Sequence, residues 1–147
     1  MSVRVTDRDF GLGALAADLR RLGGPRLVVG VEAAPGSRLD IAATVNEFGS
    51  TDGRIPQRSY FRSTMDRERL RYGTALAWSL RRVLDGRSLW RRELHLLGSR
   101  IANDIAITIH ELDTPPNAPS TIQKKGFDNP LVETGTLARS IDHEVLG

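Results

Sequence analysis

The chain has 147 residues and no cysteine, and its 21 basic and 18 acidic side chains leave a formal net charge of +3. That length suits one domain built round a single core, and the missing cysteine excludes disulfides and thiolate metal sites. The first ten residues carry acids and no apolar run, unlike a signal peptide, and no stretch approaches the ~20 apolar residues of a membrane helix, so a soluble, cytoplasmic protein is expected.

Lys124 and Lys125 are the only lysines, so the positive charge is almost entirely guanidinium. Arginine favours planar, two-pronged contacts to carboxylate or phosphate. Aromatic residues make up 5% of the chain, which argues against a base-stacking single-strand binder.

In chain order, Thr6, Asp7 or Asp9 can cap a first helix whose Leu12, Leu15, Ala16, Leu19 and Leu22 share one face, stopped by Gly23-Gly24-Pro25. Arg26 to Ala33 reads as a strand with Pro35-Gly36 turning after it; being apolar on both faces, it is expected inside a sheet. Leu39 to Phe48 predicts a short helix with Ile41, Ala42, Val45 and Phe48 on one face. A long helix is expected from Ser63 or Thr64 to Asp85. Its Leu70, Gly73, Ala77, Leu80 and Leu84 would form a seam for a partner helix, with Arg67, Arg71, Arg81 and Arg82 solvated opposite. Ser88 can cap a fourth helix striped with Trp90, Leu94, Leu97, Ile101 and Ile105, and the short link between the two predicts an antiparallel hairpin. Ile105 to Ile109 alternates as a strand would, yet the helix is expected to run to about Glu111.

Asp113 to Pro119 has too much proline for helix or central strand and reads as an extended linker. Ser120-Thr121-Ile122-Gln123 has the capping-box spacing, for one or two turns closed by Gly126. After a turn at Phe127 to Pro130, Thr134 can cap a short helix carrying Leu137 and Ile141, and Asp142 to Leu146 closes the chain as a strand. The expected class is α+β: a small mixed sheet, an N-terminal helix, a central long helical hairpin and a short C-terminal helix and strand, in one domain over residues 1–147.

One loop is odd for a mere connector. Gly49 and Gly53 frame a turn cluster, Pro56 biases Ile55 toward extended backbone, and Arg54, Arg58, Arg62, Tyr60 and Phe61 arrive within nine residues. Exposed arginine with aromatics is what interface cores are made of. The alternative is a loop that tucks Ile55, Tyr60 and Phe61 beneath itself and solvates its charges.

Chemistry is hard to assemble. His95, His110 and His143 lack metal-site spacing, and Asp142 and Glu144 flank His143 along a strand, where neighbours point to opposite faces. Gly36-Ser37, Gly49-Ser50 and Gly98-Ser99 lack the second glycine of a nucleophile elbow, and Lys125-Gly126 lacks a phosphate loop's upstream glycines. Glu93 and Asp104 stand about three helical turns apart, too far for an acid–base pair. No catalysis, metal or cofactor is therefore expected. Arg81, Arg82, Arg87, Arg91 and Arg92 would cluster round the hairpin tip, which makes a nucleic-acid accessory protein the second reading.

Ala42 to Gly49 followed by Ile55 to Thr64 resembles the central signature of the virion-morphogenesis, or neck and tail-completion, proteins of long-tailed bacteriophages. Pro116 to Ile122, Lys125-Gly126 and Asn129 to Ile141 resemble that family's C-terminal series, P-x-x-P-x-T, K-G and P-L-x-x-T-G-x-L-x-x-S-I, in order and spacing. Ser59 departs from it, since the family usually has proline after the arginine of I-P-x-R. The resemblance implies a structural role at the head–tail junction, in a ring of copies round the DNA channel beside connector, adaptor or tail-terminator proteins, with no membrane. The expected contact segments are loop 49–62, through Arg54, Ile55, Pro56, Arg58, Tyr60, Phe61 and Arg62, and arm 113–130, through Pro115, Pro116, Pro119, Lys124 and Lys125.

Overall fold

Two helices dominate, and one of them has a different neighbour on each side. The structure, a computed structural model, describes residues 25–126, 131 and 134–147, with Lys124 and Lys125 in backbone only. The helix expected over 12–22 and the turn at 127–130 lie outside those residues. Strand β1 (Arg26–Val31) is followed by helix α1 (Arg38–Phe48), the long helices α2 (Tyr60–Leu84) and α3 (Trp90–Glu111), the short helices α4 (Pro119–Lys125) and α5 (Thr136–Arg139), and strand β2 (Ile141–Leu146). This is the α+β fold with long central helices read from the sequence.

The sheet is one antiparallel pair, with Arg26 opposite Leu146 and Val31 opposite Ile141. β1 was expected inside a sheet; among the described residues its only partner is β2. Its inner side chains, Leu27, Val29 and Val31, pack toward α3, while Val28 on the outer face is 49% exposed.

The stripe expected on α3 is the core. Leu94, Leu97, Ile101 and Ile105 are buried, and Ile109 extends the row, so the alternating 105–109 segment is helical as expected. Ile105 and Ile109 are wholly buried, each stabilising the fold by roughly 2–3 kcal/mol. Gly98 lets the sheet come close: a Cβ there would lie 2.6 Å from His143 Cγ and 2.7 Å from Leu27 Cδ1. Leu137, Ile141 and Leu131 close the same cluster.

The apolar face shared on α1 and most of the seam expected on α2 do not point into the core. Ile41, Ala42 and Phe48 are exposed, and α1 buries Ala43 and Glu47 instead. On α2, Leu70 is 86% exposed, Gly73 and Ala77 face outward, and the buried residues are Tyr60, Thr64, Tyr72 and Ser79. Of the arginines expected to be solvated, Arg67, Arg71 and Arg82 stay about half exposed while their guanidinium groups reach α3. The Thr64 and Thr108 hydroxyls meet at 2.6 Å, and Arg67 Nη2 donates to Thr108 Oγ1 at 2.8 Å. Tyr72 and Arg71 both donate to Asp104 Oδ2, at 2.9 and 2.8 Å, and Ser79 donates to Glu93 Oε2 at 2.9 Å. The expected hairpin is antiparallel, and a row of polar pairs sets its register.

Three caps differ from expectation. α3 starts after Leu89 with no side-chain cap from Ser88; Ala118, not Ser120, precedes α4; and Gly135, not Thr134, precedes α5. Gly126 closes α4 in the left-handed region at φ 79°, as expected of a helix-ending glycine.

Candidate assembly surface

The arginine-studded loop is organised by a carboxylate from the preceding helix. Glu47, buried on α1, accepts from Ser59 Oγ at 2.7 Å and from the backbone N–H groups of Phe61 at 2.9 Å and Arg62 at 3.1 Å. The first N–H groups of a helix have no partner within it, and its positive dipole end favours an anion. Glu47 supplies both, so α2 begins at Tyr60, three or four residues before the expected start at Ser63 or Thr64. Ser59 has a part in this too: its hydroxyl donates to Glu47 Oε1 and fixes the path of the chain into α2.

Between the helices the loop closes on itself. Ser50 N donates to Ile55 O at 2.9 Å, Ile55 N returns to Ser50 Oγ at 2.8 Å, and Arg58 N reaches Asn46 O at 2.7 Å. Gly49 sits at φ 82°, where a Cβ would press on Gln57 N at 3.2 Å and Ile55 O at 3.3 Å, so the position suits glycine alone. At the tip, the Ser50 hydroxyl and then the Arg54 amide hold the Asp52 carboxyl below its usual range.

Arg58 is the join between the two expected contact segments. It is only 6% exposed, and it donates through Nε to Pro115 O and through Nη2 to Pro116 O, each at 2.9 Å. A guanidinium suits this task, because its planar fork addresses two neighbouring carbonyls at once. Arg58 therefore ties loop to arm within one chain instead of standing free for a neighbour. Tyr60 is likewise internal at 2% exposure, and burial, then the Glu47 charge, pushes its hydroxyl up to about 12. Phe61 is half-buried.

The remaining loop candidates face outward. Arg54, Ile55 and Pro56 are exposed at the tip, and Arg62 lays its guanidinium over the exposed Phe48 ring at 5.5 Å. Ile41 and Ile55 line a shallow recess of about 300 Å³ with Arg38 and Val45. In the arm Pro116 and Pro119 are exposed and Pro115 is half-buried. The side chains of Lys124 and Lys125 lie outside the description.

Much of the hairpin tip's charge is used inside the chain. Arg91 donates to Gly147 O at 2.6 Å and Val145 O at 2.9 Å, pinning β2 to α3. Arg82 pairs with Glu93 at 3.1 Å, and Arg87 approaches Asp85 at 3.9 Å. Arg81 and Arg92 alone of the five have neither an ion pair nor a side-chain hydrogen bond among the described residues. The Ser88 hydroxyl, the Ser79 hydroxyl and Arg82 together outweigh burial and hold the Glu93 carboxyl below its ordinary range.

Sequence reading missed Glu47, Glu93 and Asp104 as braces, because each binds a partner twelve or more residues away. It also missed that His95 Nδ1 lies 3.2 Å from His143 Nε2. Among the described residues no three His, Asp or Glu side chains are grouped to hold a metal ion, and no helix is long and apolar enough to cross a membrane. Comparison with known protein families, curated proteins and solved structures finds no match to this chain.

Proposed function

We propose that this protein is a structural subunit of the head–tail junction of a long-tailed bacteriophage. As a neck or tail-completion protein it assembles with copies of itself into a ring and joins the capsid connector to the tail. One observation carries the reading. The two stretches that resemble the phage family are far apart in sequence, and their residues act together: Glu47 of the first caps the helix that follows I-P-Q-R, and Arg58 of that motif grips Pro116, the first residue of the second, and Pro115 just before it. Residues that make up two motifs and one strut are placed to hold a loop tip in a fixed pose, as a contact between subunits requires.

Surface composition supports the same reading. Among the described residues Leu70, Trp78 and Leu96 are exposed round one groove, and Ile41 and Ile55 round another; monomers rarely leave extended apolar patches uncovered. The neighbours are copies of this chain and the adjoining connector, adaptor or tail-terminator proteins, with DNA passing through the channel. No bond is made or broken.

The test is genetic. Particles made without this protein are expected to accumulate as separate filled heads and finished tails, and supplying the protein in trans should join them. Virions that lack it and still hold firmly joined heads and tails would refute the proposal.

A further inference from the structure

Among the described residues two faces on opposite sides of the molecule are left uncovered, and they carry opposite charge. The first is the outer face of the sheet. Register places Val28 beside Glu144 and Gly30 beside Asp142 there, with Glu32 following. A recess of about 460 Å³ lies over them, open because nothing stands within 4 Å of where a Gly30 side chain would begin. Glu32 and Glu144 have no cation within ion-pair distance among the described residues, and Asp142 has only the neighbouring His143. Arg26 shares that face at its far end, and the described residues lining the recess include no arginine or lysine, so the balance is acidic.

The second face is the ridge and groove where α2 meets α3. Leu70, Thr74, Trp78 and Arg81 form one outward row on α2, with Trp78 64% exposed. Beside them a groove of about 560 Å³ is lined by Leu96 and Arg100 of α3, with Arg71, Arg82 and one acid, Glu93, which Arg82 pairs. Neither Arg81 nor Arg100 has a carboxylate within ion-pair distance among the described residues. Leu96 and Arg100 lie two residues either side of Gly98, which touches the sheet, and so sit about 160° round the helix from it. Groove and sheet face thus look in nearly opposite directions.

Resting on the neck reading above, we infer that these two faces are the two halves of one contact, and that a second copy of this chain is the occupant of each. The α2 ridge of one copy seats Leu70 and Trp78 over Val28 and Gly30 of the next, while Arg81 and Arg100 meet Glu32, Asp142 and Glu144. Charge complementarity round an apolar centre fixes partner and orientation. Because the two faces differ and point apart, the contact repeats head to tail, which closes into a ring when the rotation allows.

Charge reversal in the full-length chain tests this. The double variant Arg81→Glu/Arg100→Glu and the double variant Glu32→Arg/Glu144→Arg each alter exposed side chains, and circular dichroism confirms that each stays folded. Sedimentation velocity should show wild-type protein associating more weakly as salt rises, and each variant alone with its dissociation constant raised about tenfold or more. Mixed in equal amounts, the two variants should associate again, since each reversed face then meets its complement. Variants that associate like wild type, a mixture that stays apart, or a wild-type chain that is monomeric at every concentration would overturn the inference. A ring that forms through other surfaces would overturn it and leave the neck reading standing.

Discussion

The two sides of α3 hold the molecule together by different means. Toward the sheet it presents Leu94, Leu97, Ile101 and Ile105, with Gly98 allowing close approach; toward α2 it presents Glu93, Asp104 and Thr108. The apolar side supplies most of the stabilisation, because burial scales with area and needs no particular partner. The polar side adds less but sets register, because a displaced helix would strand a buried carboxylate. A helix held this way can keep its place while Leu70 and Trp78 on the far face of α2 stay exposed among the described residues, which is what a contact surface requires.

The comparison can be broken from the strong side first. Ile105→Ala should lower the unfolding free energy by about 3–4 kcal/mol, read by denaturant titration, since the site is wholly buried. Gly98→Ala should cost about 2 kcal/mol, because the new methyl must push His143 and Leu27 aside. A loss below a few tenths of that in either would mean that α3 and the sheet are not packed as described.

On the polar side, Glu93→Gln should cost about 1–2 kcal/mol near neutral pH. The Glu93 carboxyl is more acidic folded than unfolded, so its contribution is complete above its ordinary value of 4.5 and fades as pH falls through the lower folded value. The variant should therefore lose part of the wild-type decline in stability below about pH 4.5; an unchanged acid limb would remove Glu93 from the account. Arg58→Met, which keeps the apolar stem and loses two hydrogen bonds to the arm, should cost about 1 kcal/mol. It should also raise proteolysis within 113–119 at temperatures where the core stays folded. The smallest effect is expected from Leu70→Gln, whose side chain is already in solvent. Its melting temperature should match wild type while association weakens, separating the contact surface from the core.

What could be read from the sequence follows the same division. Periodicity revealed the α3 stripe, the helical hairpin and both strands, because a buried apolar face repeats within a local window. The same rule misplaced α2, whose local pattern also repeats: Leu70, Gly73 and Ala77 have helical spacing, yet their row faces outward. Its inner row, Thr64, Tyr72 and Ser79, looks like surface until Thr108, Asp104 and Glu93 are known to face it, 44, 32 and 14 residues away. Glu47 hid for the same reason, since a cap borrowed from another helix leaves no capping-box spacing. Among the expected contact residues, Arg54, Ile55, Pro56 and Arg62 are exposed, whereas Arg58 and Tyr60 are buried in the joint that positions them. Composition marks such residues as special without saying which way they point.

The most direct test is a cryo-electron microscopy map of the intact particle. The account predicts a ring of density at the head–tail junction that fits this fold, with the tip at residues 50–57 against a neighbouring subunit. A junction with no density for this chain, or a ring that leaves the tip bare in solvent, would contradict it.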